Sequence, residues 1–155
     1  MVEASKSRRR TLRWMLILLA VLLVLAAGYR VATMDARNAA VAEDIRMNPD
    51  GDRAQRSMLI WLADGRMYPV NYLREGNLVF MGIDGLWWRA FREPGQAVTM
   101  LIRGEELHGH ALVNLHDPAY KADVFSRLRP TVPKWLPDFL NGKLVVITLD
   151  EQASS

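Results

Sequence analysis

The stretch Trp14–Tyr29, WMLILLAVLLVLAAGY, carries no charged residue. A membrane-spanning helix needs about 20 mostly apolar residues, with a lower limit near 17. Val31 to Met34 lengthen the run, and Arg30 can lay its stem along the helix with its head at the interface. Trp14 and Tyr29 stand at the two ends, where amphipathic rings are expected. The pattern predicts one spanning helix over residues 14–34. Lys6, Arg8, Arg9, Arg10 and Arg13 precede it, whereas Arg30, Arg37 and Arg46 after it are diluted by Asp35, Glu43 and Asp44. Lys and Arg near a span collect on the cytoplasmic side. The expectation is a single-pass protein of the inner or plasma membrane, with its N-terminus in the cytoplasm. The C-terminal domain then faces the periplasm or the cell exterior. A cleaved signal peptide is the alternative, with Ala26-Ala27-Gly28 supplying small residues. The apolar run is at the long end of the ~7–15 residues usual for a signal peptide, which favours an uncleaved anchor.

The chain divides by composition into a basic segment (1–13), the span (14–34), a helical stalk and linker (35–56), a folded domain (57–150) and a tail (151–155). Asp35 to Ile45 is helix-compatible, and Asn48-Pro49-Asp50-Gly51-Asp52 is turn chemistry that stops the helix. From Ser57 the pattern changes to short strands: 58–62, 67–73, 78–81, 97–103, 106–115 and 143–149. Ala63-Asp64-Gly65-Arg66, Arg74-Glu75-Gly76-Asn77 and Gly104-Glu105 are turn signals between them. Pro69 argues for an edge position or a bulge in the second strand. The fifth strand alternates well, with Leu107, Gly109, Ala111, Val113 and Leu115 on one face and Glu106, His108, His110, Leu112 and Asn114 on the other. Asp117-Pro118 reads as the cap and first residue of a helix running to about Leu128. Lys134 to Leu140 reads as a short helical or irregular cover. Sequential antiparallel strands of this kind favour a barrel or rolled sheet, an α+β domain with short helices.

Several function classes are excluded. The absence of cysteine removes disulfides, Cys-zinc sites, iron–sulfur clusters and thiol catalysis. Twenty Lys and Arg against 17 Asp and Glu leave a charge of +3, and no basic stripe interleaved with aromatics follows residue 56. Nucleic acid is therefore not an expected partner. There is no nucleophile elbow, Walker loop, metalloprotease helix or dinucleotide fingerprint.

The most informative stretch of the domain is Leu78–Pro94, LVFMGIDGLWWRAFREP. A strand leads into Gly82-Ile83-Asp84-Gly85, which leads into two tryptophans, a phenylalanine and two arginines. Strand, glycine-bracketed turn and helix start is one arrangement that presents backbone N–H groups to an anion. Glycines there can take φ > 0 or admit a ligand close to the backbone. Arg89 and Arg92, three apart, share a helix face and can grip phosphate or carboxylate. Trp87 and Trp88 offer flat apolar surface for a ring system. The same residues also suit a simple cap on a small barrel, with the arginines in water. Tyr68 and Tyr72 share one face of the second strand, where an inward hydroxyl is a candidate proton donor and cross-strand packing the competing role. His108 and His110 share a face and could chelate a metal, although polar residues there are also what a half-buried strand shows. No metal is assigned.

Taken together, YPVNYLREGNLVF at 68–80, the glycine turn, Trp87-Trp88-Arg89, the Pro-containing break, AVTMLIRG at 97–104 and His108-Gly109-His110-Ala111 resemble the deazaflavin-dependent nitroreductase family. That family belongs to the split β-barrel superfamily of flavin reductases and pyridoxamine-phosphate-oxidase-like proteins. The resemblance covers about residues 57–149. It implies a six-stranded antiparallel split barrel that binds FMN or a deazaflavin of the F420 type, often as a homodimer, and passes hydride or electrons to a small-molecule substrate. The cofactor-binding residues implied by the resemblance are Pro69, Val70, Gly82, Gly85, Trp87, Trp88 and Arg89; the reading of the residues themselves adds Arg92, with Tyr68 and Tyr72 as catalytic candidates. The chain departs from the family pattern in three places. Only Asp64-Gly65-Arg66 remains of a longer basic turn, Gly82 stands where the family has Ser, and Ala90 stands where it has Asn. The alternative function is a membrane-tethered barrel without catalysis that binds a partner protein, lipid or small ligand.

Overall fold

The computed structural model describes residues 3–133, 135–137 and 141–151. The elements are α1 (Glu3–Met47), α2 (Asp52–Arg56), β1 (Ser57–Trp61), β2 (Met67–Glu75), β3 (Leu78–Ile83), a 3-10 helix (Leu86–Phe91), β4 (Gln96–Ile102), β5 (Glu105–Asn114), α3 (Pro118–Leu128) and β6 (Lys143–Leu149). The chain forms two compact units that meet between Ala40 and Val41.

In the first unit α1 is a continuous helix whose apolar side chains face outward all round. Trp14 is 63% exposed and Leu25 63%. The helix is long and apolar enough to cross a membrane.

The second unit is a closed antiparallel barrel with strand order β1-β2-β3-β6-β5-β4. Closure leaves the barrel no free sheet edge along most of its perimeter. β2 changes partner half way. Residues 67–71 pair with β1 and residues 72–75 with β3. Pro69, opposite Leu59, lies in the one-sided half. There a residue without an N–H leaves no bond to a second neighbour unmade.

Three apolar clusters follow from strand alternation. Met58, Ile60, Val79, Met81, Met100, Leu107, Ala111, Val113, Val145 and Ile147 point into the barrel. On the outside, Leu59 packs under Ala42 and Ile45 from the end of α1 and Ala54 from α2. Phe80 and Leu144 pack outside under Val124 and Phe125 of α3. Each strand covered on both faces therefore contains a continuous apolar run: MLIW in β1, LVFM in β3, LVVI in β6. β5 has an open outer face and alternates, as its sequence predicts, with Leu107, Gly109, Ala111 and Val113 buried. The Asp117 side chain accepts from the Tyr120 N–H at 2.8 Å, and Pro118 opens α3.

Three local expectations change. β3 runs two residues further, so Gly82 is a strand residue opposite Leu144 rather than part of a turn. Gly82 and Gly85 are not among the residues with positive φ. The segment after them is a 3-10 helix rather than an α-helix. A short helix, α2, also occupies the end of what reads as stalk and linker. The expected cover over 134–140 falls in part outside the described residues, as does the end of the tail.

Candidate functional site

The 3-10 helix joins β3 to β4 at one end of the barrel. Phe91 enters the barrel core from it and is fully buried. Trp87 meets Phe91 edge-on, with ring centroids 5.7 Å apart, and stacks on Tyr68 of β2 at 4.4 Å and 15°. The series Tyr68–Trp87–Phe91 closes this end of the barrel with aromatic surface. Gly85 matters here through space rather than φ, which is −90°. A Cβ on it would sit 3.1 Å from Trp87 Cδ1, so glycine lets the indole fold back toward the barrel.

Trp88 is half-buried beside this series. The Arg92 guanidinium carbon lies 4.9 Å and that of Arg89 6.0 Å from its ring centroid. Both arginines are exposed, and neither forms an ion pair among the described residues. Two guanidinium groups on one indole, with no ion-paired carboxylate among the described residues, make a local concentration of positive charge. The Tyr68 hydroxyl accepts from Arg66 Nη1 at 3.3 Å. Arg66 also bonds Asp64, and these bonds hold the Asp64 carboxyl below its ordinary pKa.

Tyr72 is elsewhere. Four residues along a strand is about 13 Å, so it lies toward the opposite end of β2. Its hydroxyl donates to the Ala54 carbonyl at 3.3 Å, and burial pushes its pKa up. It lines a separate cleft of about 480 Å³ with Arg74, Arg103 and Gln55. Tyr68 and Tyr72 thus share a strand face but not a site. Val70 stands between them on the inner face, packed against the core.

Gly82 has a role that spacing does not reveal. Arg129, at the end of α3, places its side chain where a Gly82 side chain would be. A Cβ there would lie 2.7 Å from Arg129 Nε. Arg129 forms a two-pronged ion pair with Asp84, at 2.7 and 2.6 Å, and donates to the Gly82 carbonyl at 3.2 Å. Gly142, just before β6, borders the pair, since a Cβ on it would come within 2.8 Å of Asp84 Oδ1. The glycine-bracketed segment therefore seats the protein's own ion pair. Forty-five residues separate Asp84 from Arg129. The only signal available in the chain is the pair of glycines, at 82 and 142, beside them.

Two of the three histidines have hydrogen-bond partners. His108 Nδ1 lies 3.1 Å from the Thr99 hydroxyl, and His110 Nε2 lies 2.7 Å from the Pro94 carbonyl. Among the described residues no group of three His, Cys, Asp or Glu could hold a metal ion.

No protein-family model matches the chain, and no curated protein sequence matches it. Solved structures do. A Listeria innocua protein provisionally named a pyridoxamine 5′-phosphate oxidase aligns with a TM-score of 0.51 at 13% identity, over 73% of this chain and 90% of that one. A general stress protein 26, also provisionally named, from Jannaschia sp. CCS1 aligns at 0.44 and 12% identity, over 72% and 74%. An FMN-binding protein from Syntrophomonas wolfei subsp. wolfei aligns at 0.36 and 11%, over 81% and 94%. At 13% identity the Listeria match shows a shared fold alone, a six-stranded antiparallel barrel in this chain.

Proposed function

We propose that the barrel is a membrane-anchored binding domain for FMN or a deazaflavin of the F420 type, and an oxidoreductase of nitroreductase-like character. The observation that carries this reading is the pair Arg89 and Arg92 on Trp88, charged, exposed and without an ion pair among the described residues, at the aromatic end of a barrel of this fold. In it the two arginines hold the cofactor's phosphate through charge-assisted bonds. Trp87 and Trp88 border its ring, Gly85 keeps the indole in place, and Pro69 and Val70 support the strand beside it. Tyr68 is the proton donor in reach of that end, and Tyr72 serves packing. When bound, the cofactor supplies the hydride or electrons, so the protein's part is to hold, orient and shield it. The fit is good for the phosphate. For the ring it requires Trp87 to turn off Tyr68, because the two rings now lie against each other. In this reading the chain is a homodimer held in the inner or plasma membrane by residues 14–34, with residues 57–150 on the outer side.

The test is the absorbance and fluorescence spectrum of the full chain in detergent, before and after loading with FMN or deazaflavin and dialysis. Retained cofactor with a shifted band is expected. Arg89→Ala should weaken binding by about 1–3 kcal/mol, the range for a lost charge-assisted bond. Unchanged affinity in Arg89→Ala and Arg92→Ala alike removes the arginines from the site. A C-terminal alkaline phosphatase fusion, active only outside the cytoplasm, tests the orientation.

One observation favours a second reading, a tethered barrel without cofactor. The space at Gly82 is filled by Arg129, and the ion pair with Asp84 closes the segment that would otherwise meet an anion. A folded protein that retains neither cofactor points to this reading.

A further inference from the structure

The 3-10 helix closes loosely at its C-terminal end. The Arg92 N–H meets the Arg89 carbonyl at 3.4 Å, past the usual limit of about 3.2 Å for such a bond. The two arginines stand on either side of this weak closure, and what holds the segment comes from outside it. Gln96, half-buried at the start of β4, donates from Nε2 to the Ala90 carbonyl at 3.0 Å, and its Oε1 accepts from the Ala63 N–H at 3.2 Å. A backbone carbonyl only accepts and a backbone N–H only donates, so the two partners fix the amide in one orientation. Ala63 lies in the turn between β1 and β2, and Arg66 after that turn donates to the Tyr68 hydroxyl. Gln96 therefore reaches from the hairpin beside Tyr68 to the peptide between Arg89 and Arg92. A second tie backs it. His110 Nε2 lies 2.7 Å from the Pro94 carbonyl, and Gly95, at φ +83°, lets the turn lie against β5, where a Cβ would stand 2.5 Å from the Ala111 carbonyl oxygen.

We propose that Gln96 is a positioning residue for the arginine pair. Acting through the Ala90 peptide, its amide fixes where Arg89 and Arg92 stand relative to the Tyr68 hydroxyl, and so sets their grip on a ligand's phosphate. Neither of its bonds involves Trp87, so that indole can turn off Tyr68 while the arginines stay placed. The proposal rests on the reading of the pair as a phosphate site.

The test compares the full chain in detergent with Gln96→Met, which keeps the side chain's length and loses both hydrogen bonds, and with Gln96→Glu. In Gln96→Glu a protonated carboxyl donates to Ala90 and accepts from Ala63 as the amide does, whereas an ionised one turns an acceptor toward an acceptor. Two quantities are read: the affinity for FMN at neutral pH, and the NMR shifts of the Arg92 side-chain protons, whose guanidinium carbon lies 4.9 Å from the Trp88 ring centroid and whose signals its ring current displaces. Gln96→Met should hold FMN about tenfold more weakly and lose most of the ring-current displacement. In Gln96→Glu the displacement should be lost at neutral pH and return on acidification. The unchanged chain, titrated alongside, carries the contributions of Asp64, Arg66, Arg89, Arg92, Glu93 and His110 around this amide. Displacements unaltered in Gln96→Met overturn the proposal whatever FMN does, as does a Gln96→Glu profile that matches the unchanged chain. FMN held as tightly by Gln96→Met as by the unchanged chain overturns it too. If the unchanged chain holds no FMN, the cofactor reading falls, and the Arg92 shifts alone decide the role of Gln96. If Gln96→Met does not fold, Gln96→Glu decides, since its protonated form restores both bonds.

Discussion

Gly82 shows how much one missing side chain can organise. Its absence of a Cβ admits the Arg129 guanidinium, which then reaches Asp84 and lies 5.2 Å from the Phe125 ring centroid. Three elements, β3, α3 and the turn after β3, are tied at that point. Gly82→Ala puts a methyl 2.7 Å from Arg129 Nε and should force the pair apart, costing about 1–3 kcal/mol as overpacking does. Chemical denaturation midpoints measure this. The same substitution in an Arg129→Ala background should cost less, and equal costs in the two backgrounds would rule out the clash as the cause. Tyr72 makes a pH prediction. Burial raises its folded-state pKa above the ordinary value of 10.0. The folded state therefore holds the phenolic proton more tightly than the unfolded chain, and the associated stability is fully present below pH 10. It is lost as pH rises from there through the folded-state value. Tyr72→Phe should flatten that part of the alkaline limb. An alkaline limb identical in the variant would remove Tyr72 from the cause.

At the scale of elements, α1 belongs to two environments. Its apolar turns from Trp14 to Leu25 are exposed, whereas Ala42 and Ile45 are buried against Leu59 and Ala54. The Asp44–Arg53 ion pair at 2.7 Å joins the end of α1 to α2 beside this cluster. The last turns of the helix are thus part of the barrel's outer packing. Ile45→Ala should destabilise the barrel by about 2–5 kcal/mol, the usual cost of a large-to-small change in a core. Thermal unfolding followed by near-ultraviolet circular dichroism reads it. A change within error would mean that the helix end is not docked. The helix α2 went unread because five residues carry too little periodicity to show. DRAQR has the composition of a linker, and only the burial of Ala54 under Ile45 makes it an element.

For the whole molecule, closure of the barrel is the decisive event. β3 and β6 pair along six residues although their starts, Leu78 and Lys143, are 65 positions apart in the chain, and β1 pairs with β4 to complete the ring. Closure creates an interior whose ends must be filled. The 3-10 helix fills one of them with Phe91, so the aromatic segment is structural as well as exposed. Phe91→Ala should cost about 3–5 kcal/mol and loosen the end where Tyr68 and Trp87 stack. Loss of that stack should red-shift and broaden the tryptophan emission. Unaltered emission in a destabilised variant would separate the plug from the stack.

What the amino-acid order settled by itself is local. The length of the apolar run at 14–34, the alternation of β5, the Asp117 cap and the turn residues depend on neighbours a few positions apart, and period and capping report such neighbours directly. The six-strand count and antiparallel pairing followed from those signals, and the family resemblance in 68–111 pointed to the same barrel. Tertiary structure alone decided where the side chains met. Tyr68 and Tyr72 share a face by period, yet one stacks on Trp87 and the other bonds Ala54, because the two ends of the barrel are capped by different elements. Glycines at 82 and 85 read as a place for an anion. Arg129 fills the first and Trp87 crowds the second. No periodicity links position 84 to 129 or 68 to 87. Those contacts exist only because the sheet closes and brings distant segments within van der Waals reach.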